Sequence, residues 1–451
     1  MIIGLDCAPP ALVFDRLLSR LPNLASLMRR GAHGPLRSVA PPITVPAWAC
    51  MVSGRDPGEL GLYGFRNRIP GDYALSVSDA RALEVPRIWD VLSEAGRTVA
   101  TLYVPLTSPP RPVNGVMVSC FLGEDGAPFT HPPELGAQLE ALHGEHTPDV
   151  SVFRTDDLAG LLDELYDTAR QHFAVARQVW VERHPELMMM VEMGTDRLHH
   201  AMWRHLDPSH PDHDPSDPMV REASDYYAYL DAEVGGLLEL ADEETAVLVV
   251  SDHGARTMQG GLRVNEWLRQ QGWLVLKEEP DAPGPLSLDM VDWSRTRAWA
   301  AGGYYARVFL NVKGREPEGI VEDREATVRE LAAALGSIPG PDGTPLGVDA
   351  RRPEAMYREV RGFPPDLMVF LGDLDWRALG SVGGPLHTAG DDRGPDGCNH
   401  DWDGIFIAAG AGVEARGALE GLSIHDVGPT ALALLGEPTP EGWLGVDRSG
   451  G

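Results

Sequence analysis

Asp6, Asp196, His200, Asp252, His253 and His400 fall at or beside the ends of apolar runs along this chain. In an open α/β sheet the edge beyond the carboxyl ends of the strands is where ligands bind. Asp6 ends the run Ile2–Leu5, and Asp252-His253 end the run Ala246–Val250 before Gly254 turns the backbone away. Asp196 and His200 follow Leu187–Val191; if Arg197–His205 is helical, their i,i+4 spacing puts both on one face. His400 precedes another apolar run in Asn399-His400-Asp401-Trp402. Three carboxylates and three imidazoles suit two divalent metal ions, and the histidine share favours zinc over magnesium, with manganese as an alternative. Each residue alone also fits a plainer role, since an Asp after a strand is commonly a cap or turn former. Their joint placement at element ends favours one site.

Thr44 is a candidate nucleophile. It lies in Pro41-Pro42-Ile43-Thr44-Val45-Pro46-Ala47-Trp48, ahead of an apolar stretch closed by Ser53-Gly54. A plain N-cap hydroxyl is one reading. A hydroxyl at a helix N-terminus, beside a metal, also suits attack on an electrophile whose anionic oxygens the helix amides hold. Asn67 follows closely enough to offer a hydrogen bond to a phosphoryl oxygen. Trp48, Tyr63 and Phe65 read either as core or as an apolar pocket near Thr44.

The elements that must position these residues alternate. Helical patterns at Leu21–Arg30, Arg87–Ala95, Leu158–Arg183 and Val220–Leu240 separate strand-like runs at Ile2–Leu5, Thr98–Val104, Leu187–Val191 and Ala246–Val250. This rhythm predicts an α/β fold with a mostly parallel sheet sandwiched by helices. Proline and glycine cluster after about residue 277, which predicts a smaller α+β insertion or cap over 277–365 between core segments 1–276 and 366–451. Within it, Ala306–Val312 reads as a strand and Glu322–Leu335 as a helix. Leu367–Leu371 and Ile405–Ala409 read as strands returning to the main sheet, before a closing helix at Ile424–Leu435.

Composition narrows the partners. The 67 acidic against 38 basic residues of the 451-residue chain give a formal charge of −29, which argues against coating a nucleic acid. A small phosphorylated substrate stays compatible if metal ions reverse the field locally. Four scattered cysteines form neither a disulfide framework nor a thiolate zinc site, and no run is long enough to span a membrane. With no targeting segment at the N-terminus, the expectation is a cytoplasmic protein without membrane attachment. Oligomeric state is not legible.

In order, Asp6, Thr44, Asp196-x-x-x-His200, Asp252-His253-Gly254 and His400 resemble the ligand set of the alkaline phosphatase superfamily. The threonine resembles the type I phosphodiesterase/nucleotide pyrophosphatase branch. The stretches Thr195–Trp203, Lys313–Gly319 and Asp403–Gly410 look like bacterial predicted phosphohydrolase/phosphomutase proteins. The resemblance implies an alkaline-phosphatase-like fold. It also implies one metal on Asp196, His200 and His400, and a second on Asp6, Asp252, His253 and the Thr44 oxygen. Thr44 would attack phosphorus in line and form a phospho-threonine. A phosphodiester or pyrophosphate is the implied substrate; a phosphomonoesterase, a phosphomutase or a non-catalytic binding protein of the same fold are the alternatives. A sulfatase is disfavoured, because Thr44-x-Pro46-x-Trp48 replaces the C/S-x-P-x-R motif of those enzymes. Lys313 and Arg315 either reach the substrate or pair with Glu316 and Glu318 on the surface, His199 reads as lying outside the ligand set, and His205 as part of a solvated loop.

Overall fold

A computed structural model describes residues 1–123 and 126–450. The chain divides into two compact units. The first comprises Met1–Leu60, Ser78–Ala255 and His400–Gly451, and the second Gly61–Val77 and Arg256–Asn399. The second unit therefore takes in residues 277–365 together with flanking segments on both sides and a hairpin, Arg66–Arg68 with Leu75–Val77, that precedes them in sequence.

A ten-stranded sheet forms the centre of the first unit. Its middle strands are Gly115–Val118, Val99–Leu102, Leu187–Glu192, Ile2–Leu5 and Ala246–Val250, adjacent in that order and all parallel. These strands are apolar along nearly their whole length, as sheets covered by helices on both faces require. Asp403–Gly410 then runs antiparallel beside Ala246–Val250, and Ala32–Arg37 antiparallel beside it. The register pairs Leu5 with Glu192 and Gly4 with Val250, so the three central strands end at one level. Because Asp403–Gly410 is antiparallel, its beginning reaches the same edge that the others reach with their ends.

Helices flank this sheet. Leu158–Arg183 starts where the Asp157 side chain accepts the Gly160 N–H at 3.0 Å. Thr44–Ser53 is buried along its length and is closed by Gly54 in the left-handed region, φ 63°. No helix among the described residues is long and apolar enough to cross a membrane.

The second unit has its own core, built on an antiparallel sheet ordered Ala298–Ala301, Ala306–Leu310, Leu367–Leu371, Val348–Arg351. Leu367–Leu371 does not return to the main sheet as its apolar run suggested. It is a central strand here, and being buried on both faces it reads the same way in either sheet.

Candidate functional site

Strand register assembles the site. Asp6, the Ser251-Asp252-His253 turn and the start of the Gly194–Leu206 helix follow three neighbouring parallel strands, and His400 lies just before the antiparallel one. All six predicted ligands and Thr44 lie in the first unit and are almost fully buried. Asp6, Asp252 and His253 offer ligand atoms within 4.8 Å of one another, and so do Asp196, His200 and His400. The rings of His253 and His400 stack at 3.8 Å, which joins the two groups.

The distances within each group can be set against those of hydrogen bonds and of metal centres. His253 Nε2 lies 3.2 Å from Asp252 Oδ2 and 3.8 Å from Asp6 Oδ1. Asp196 Oδ1 lies 3.5 Å from His200 Nε2 and 3.6 Å from His400 Nε2. Most of these separations are too long for good hydrogen bonds. A tetrahedral ion with bonds of roughly 2.0–2.1 Å holds its ligand atoms about 3.4 Å apart. The observed edges scatter around that value.

Hydrogen bonding treats the two oxygens of each carboxylate differently. Each carboxylate has one oxygen held by the protein. Trp48 Nε1 donates to Asp6 Oδ2 at 2.6 Å, the Cys7 N–H to Asp252 Oδ1 at 3.2 Å, and Arg197 Nη1 to Asp196 Oδ2 at 2.6 Å. The other oxygen, Oδ1 of Asp6, Oδ2 of Asp252 and Oδ1 of Asp196, is buried with no hydrogen-bond partner among the described residues. Buried acceptors left in this state are costly, and a cation satisfies them. The imidazoles are oriented likewise: Nδ1 of His400 donates to the Pro42 carbonyl at 2.8 Å and Nδ1 of His253 to the Gly254 carbonyl at 3.1 Å, which leaves each Nε2 facing a carboxylate, Asp196 and Asp252 in turn.

Electrostatics explain why the protein alone is ill at ease here. Burial, then the charge of Asp196, pushes the Asp6 carboxyl well above its usual range. Burial, then Asp6, does the same to Asp252. At Asp196 burial acts upward too, but His200 and the Arg197 guanidinium outweigh it and hold the group well below the ordinary value. Burial lowers His253 to about 4 and pushes His400 down as well. Crowded carboxylates beside neutral imidazoles are what a bound cation would invert.

Thr44 is the first helical residue and not the cap, a place taken by Ile43. Its Oγ1 does not cap the helix; it faces His253 Nε2 at 3.4 Å. The hydroxyl thus sits at a helix N-terminus, where the backbone dipoles add partial positive charge, and at the rim of one ligand group.

Other sequence candidates fall elsewhere. Asn67 lies in the second unit, where its Oδ1 accepts the Tyr63 N–H at 2.8 Å and its Nδ2 donates to the Gly64 carbonyl at 3.1 Å, closing its own turn. Lys313 pairs with Glu322, and Arg315 with Glu316 and Asp366. His199 is buried with Nε2 2.8 Å from the Tyr227 hydroxyl, and burial lowers it to about 3. His205 is not in a solvated loop: it belongs to the Gly194–Leu206 helix and lies buried against Asp217, because that helix runs on to meet it. Sequence reasoning missed Arg197, which two hydrogen bonds from Nε and Nη2 tie to Asp149, and Phe153, whose ring centroid lies 5.3 Å from that of His200. Asp149 and Phe153 sit in an irregular stretch with no periodic pattern to mark them.

The family model of type I phosphodiesterase / nucleotide pyrophosphatase matches residues 1–402. A comparison with curated proteins finds no match. Among solved structures, phosphonoacetate hydrolase from Sinorhizobium meliloti 1021, in complex with phosphonoacetate, is similar at 17% identity and TM-score 0.63, covering 96% of this chain and 94% of that one. Human ectonucleotide pyrophosphatase/phosphodiesterase 5 is similar at 14% identity and TM-score 0.56, covering 97% and 95%. An inactive form of the murine protein in complex with AMP gives 13% identity and TM-score 0.53 over the same shares. At such identities the structural likeness carries the fold, and the family model carries the membership: the chain belongs to the type I phosphodiesterase/nucleotide pyrophosphatase family of phosphoric ester hydrolases, within the alkaline phosphatase superfamily.

Proposed function

We propose that the protein is a two-metal phosphodiesterase or pyrophosphatase that works through Thr44 as nucleophile. The observation that carries this reading is the pair of buried three-ligand groups with the Thr44 hydroxyl 3.4 Å from a ligand of one of them. Asp6, Asp252 and His253 would hold one ion, and Asp196, His200 and His400 the other. Zinc suits the observed edges; octahedral magnesium, with bonds of about 2.0–2.1 Å, would bring neighbouring ligand atoms to roughly 2.9 Å. When bound, such ions neutralise the phosphoryl oxygens and make the threonine hydroxyl more acidic.

The residues then divide the work. Thr44 Oγ1 forms a bond to phosphorus in line with the departing oxygen, loses its proton and leaves a phosphoryl group, or a substituted one from a diester, on the threonine. Water cleaves that ester and restores Thr44. Helix N-terminal amides around Thr44 favour the negative charge that collects in both steps. The structural neighbours were found with phosphonoacetate and with AMP, and both carry the small phosphorus oxyanion head that this site would take.

The test is hydrolysis of bis-p-nitrophenyl phosphate against p-nitrophenyl phosphate after chelation and re-addition of zinc or manganese, with Thr44→Ala as the blank. Acid quenching and mass spectrometry of the Thr44 peptide accompany it. Metal- and Thr44-dependent cleavage that favours the diester, with a phosphorylated Thr44 peptide, is the expected result. A monoester preference moves the reading to a phosphatase or mutase, and an added alcohol that accepts the phosphoryl group selects the mutase. Turnover that persists in Thr44→Ala overturns the nucleophile assignment.

A further inference from the structure

Arg263 is a buried cation without a counter-ion. It ends the Gly260–Arg263 strand of the second unit and is 8% exposed. Its Nε donates to Ser381 Oγ at 3.1 Å and its Nη1 to the Pro385 carbonyl at 2.5 Å, both neutral acceptors. Among the described residues no carboxylate pairs with it. This is unusual in a chain with 67 acidic and 38 basic residues, where a carboxylate partner is easily found. Buried arginines are ordinarily paired, because desolvating a lone charge is expensive.

Arg263 lines a cavity of about 740 Å³ whose wall lies within the second unit. That volume falls within the range of small-molecule pockets. Leu75, Leu286 and Trp299 contribute apolar wall, while Arg66 and Arg393 add positive charge and Asp392 is the one acid of the lining. Arg393 meets the Asp391 carboxylate at 3.4 Å, while buried Arg377 lies 3.2 Å from Asp391 and 3.2 Å from Asp396. The lining thus carries three guanidinium groups against one carboxylate, although the chain as a whole is acidic.

The wall is fixed before any ligand arrives. Buried Asn265 donates to the carbonyls of Ala300 and Gly380 at 2.9 and 2.8 Å and accepts the Ala300 N–H at 2.8 Å. Gly284-Pro285 pairs with Ser381-Val382 as a short antiparallel ladder. At Gly302 a Cβ would come within 2.5 Å of the Ala378 carbonyl and the Gly380 nitrogen, so the two wall segments close only on a glycine.

We propose that this cavity binds a small organic anion: an apolar or aromatic body carrying one oxyanion head, carboxylate or phosphate, which takes the Arg263 guanidinium. The proposal is independent of the two-metal reading, since none of the lining residues is a ligand or Thr44. It is tested on the full chain in the presence of chelator by isothermal titration with three probes of similar shape: 1-naphthylacetate, 1-naphthylmethylphosphonate and the neutral 1-naphthylacetamide. At least one acid binds, and the amide binds roughly tenfold or more weakly, as a charge-assisted hydrogen bond predicts. The stronger acid identifies the head group. Arg263→Gln brings the acids down to the level of the amide, and Thr44→Ala leaves all three unchanged. Should Arg263→Gln fail to fold, the exposed double variant Arg66→Gln/Arg393→Gln still reduces the preference for the acids several-fold. Equal binding of acid and amide, absence of binding by every probe at millimolar concentration, or an unchanged preference in the arginine variants overturns the proposal.

Discussion

The indole of Trp48 lies across Gly4 and donates its N–H to Asp6 Oδ2 at 2.6 Å. A Cβ on Gly4 would meet the Trp48 ring at 2.5 Å, so the bare strand is what lets the indole reach the carboxylate. Trp48 stands four residues after Thr44 on the same helix, hence on the same face. One side chain therefore joins the proposed nucleophile helix to a proposed metal ligand, and leaves Asp6 Oδ1 without a hydrogen bond among the described residues.

Trp48→Phe keeps most of the bulk and removes the donor. Losing a hydrogen bond that orients a metal-holding carboxylate costs roughly 10–100-fold in metal affinity. Zinc titration of the chelated protein with a competing chromophoric chelator reads this directly. Gly4→Ala gives the same direction through displacement of the indole. Affinity equal to wild type in both variants removes Trp48 from the site's support.

Metal binding releases protons. Asp6 and Asp252 are held above the ordinary carboxylate range in the metal-free protein, so part of their population is protonated where a free aspartate is ionised. An incoming dication must displace those protons, and apparent affinity therefore falls as pH falls. Zinc titrated calorimetrically into the chelated protein, in two buffers of different ionisation enthalpy, shows a positive proton release. At zinc a hundredfold above its Kd, unfolding is opposed by about 2.7 kcal/mol more than in the chelated protein.

Arg197 is pinned by Asp149 and reaches Asp196 Oδ2 at 2.6 Å, with Phe153 stacked 4.6 Å from its guanidinium. Arg197→Met leaves buried Asp196 and half-buried Asp149 without their partner and destabilises the fold by about 3 kcal/mol. Asp149 is partly solvated, so Asp149→Asn costs less. Urea unfolding of the metal-free proteins checks the order, and a loss below about 0.5 kcal/mol for Arg197→Met contradicts it.

His146 stacks on Phe129 at 3.9 Å, and burial, reinforced by nearby His172, lowers it to about 4. In the unfolded chain a histidine takes its proton near 6.5. Between about 4 and 6.5 the unfolded state therefore binds more protons, and stability rises with pH through that window. The stabilisation is complete above 6.5 and is lost as pH falls towards 4. Partial solvation reduces the full shift to roughly 1–2 kcal/mol. Urea midpoints at neutral and acidic pH lose that increment of acid sensitivity in His146→Gln; identical pH profiles for the two proteins contradict it.

Local signals carried much of this architecture. An apolar run followed by Asp or Asp-His-Gly marks a strand end whatever surrounds it, which is why Asp6 and Asp252-His253 were legible, and i,i+4 spacing put Asp196 and His200 on one helix face. Helices such as Leu158–Arg183 were equally plain from their periodicity. Register, by contrast, is a relation between distant segments. It alone decided that Leu5 lies beside Glu192 and Gly4 beside Val250, which draws the six candidate ligands into two groups of three. The same holds for the partners of those ligands. Nothing in the order of residues links Asp149 to Arg197, or Gly4 to the tilt of Trp48, because hydrogen bonds over such separations exist only once the sheet has closed. Leu367–Leu371 shows the limit most clearly: its apolar run determined a buried strand, and only packing determined which sheet would bury it.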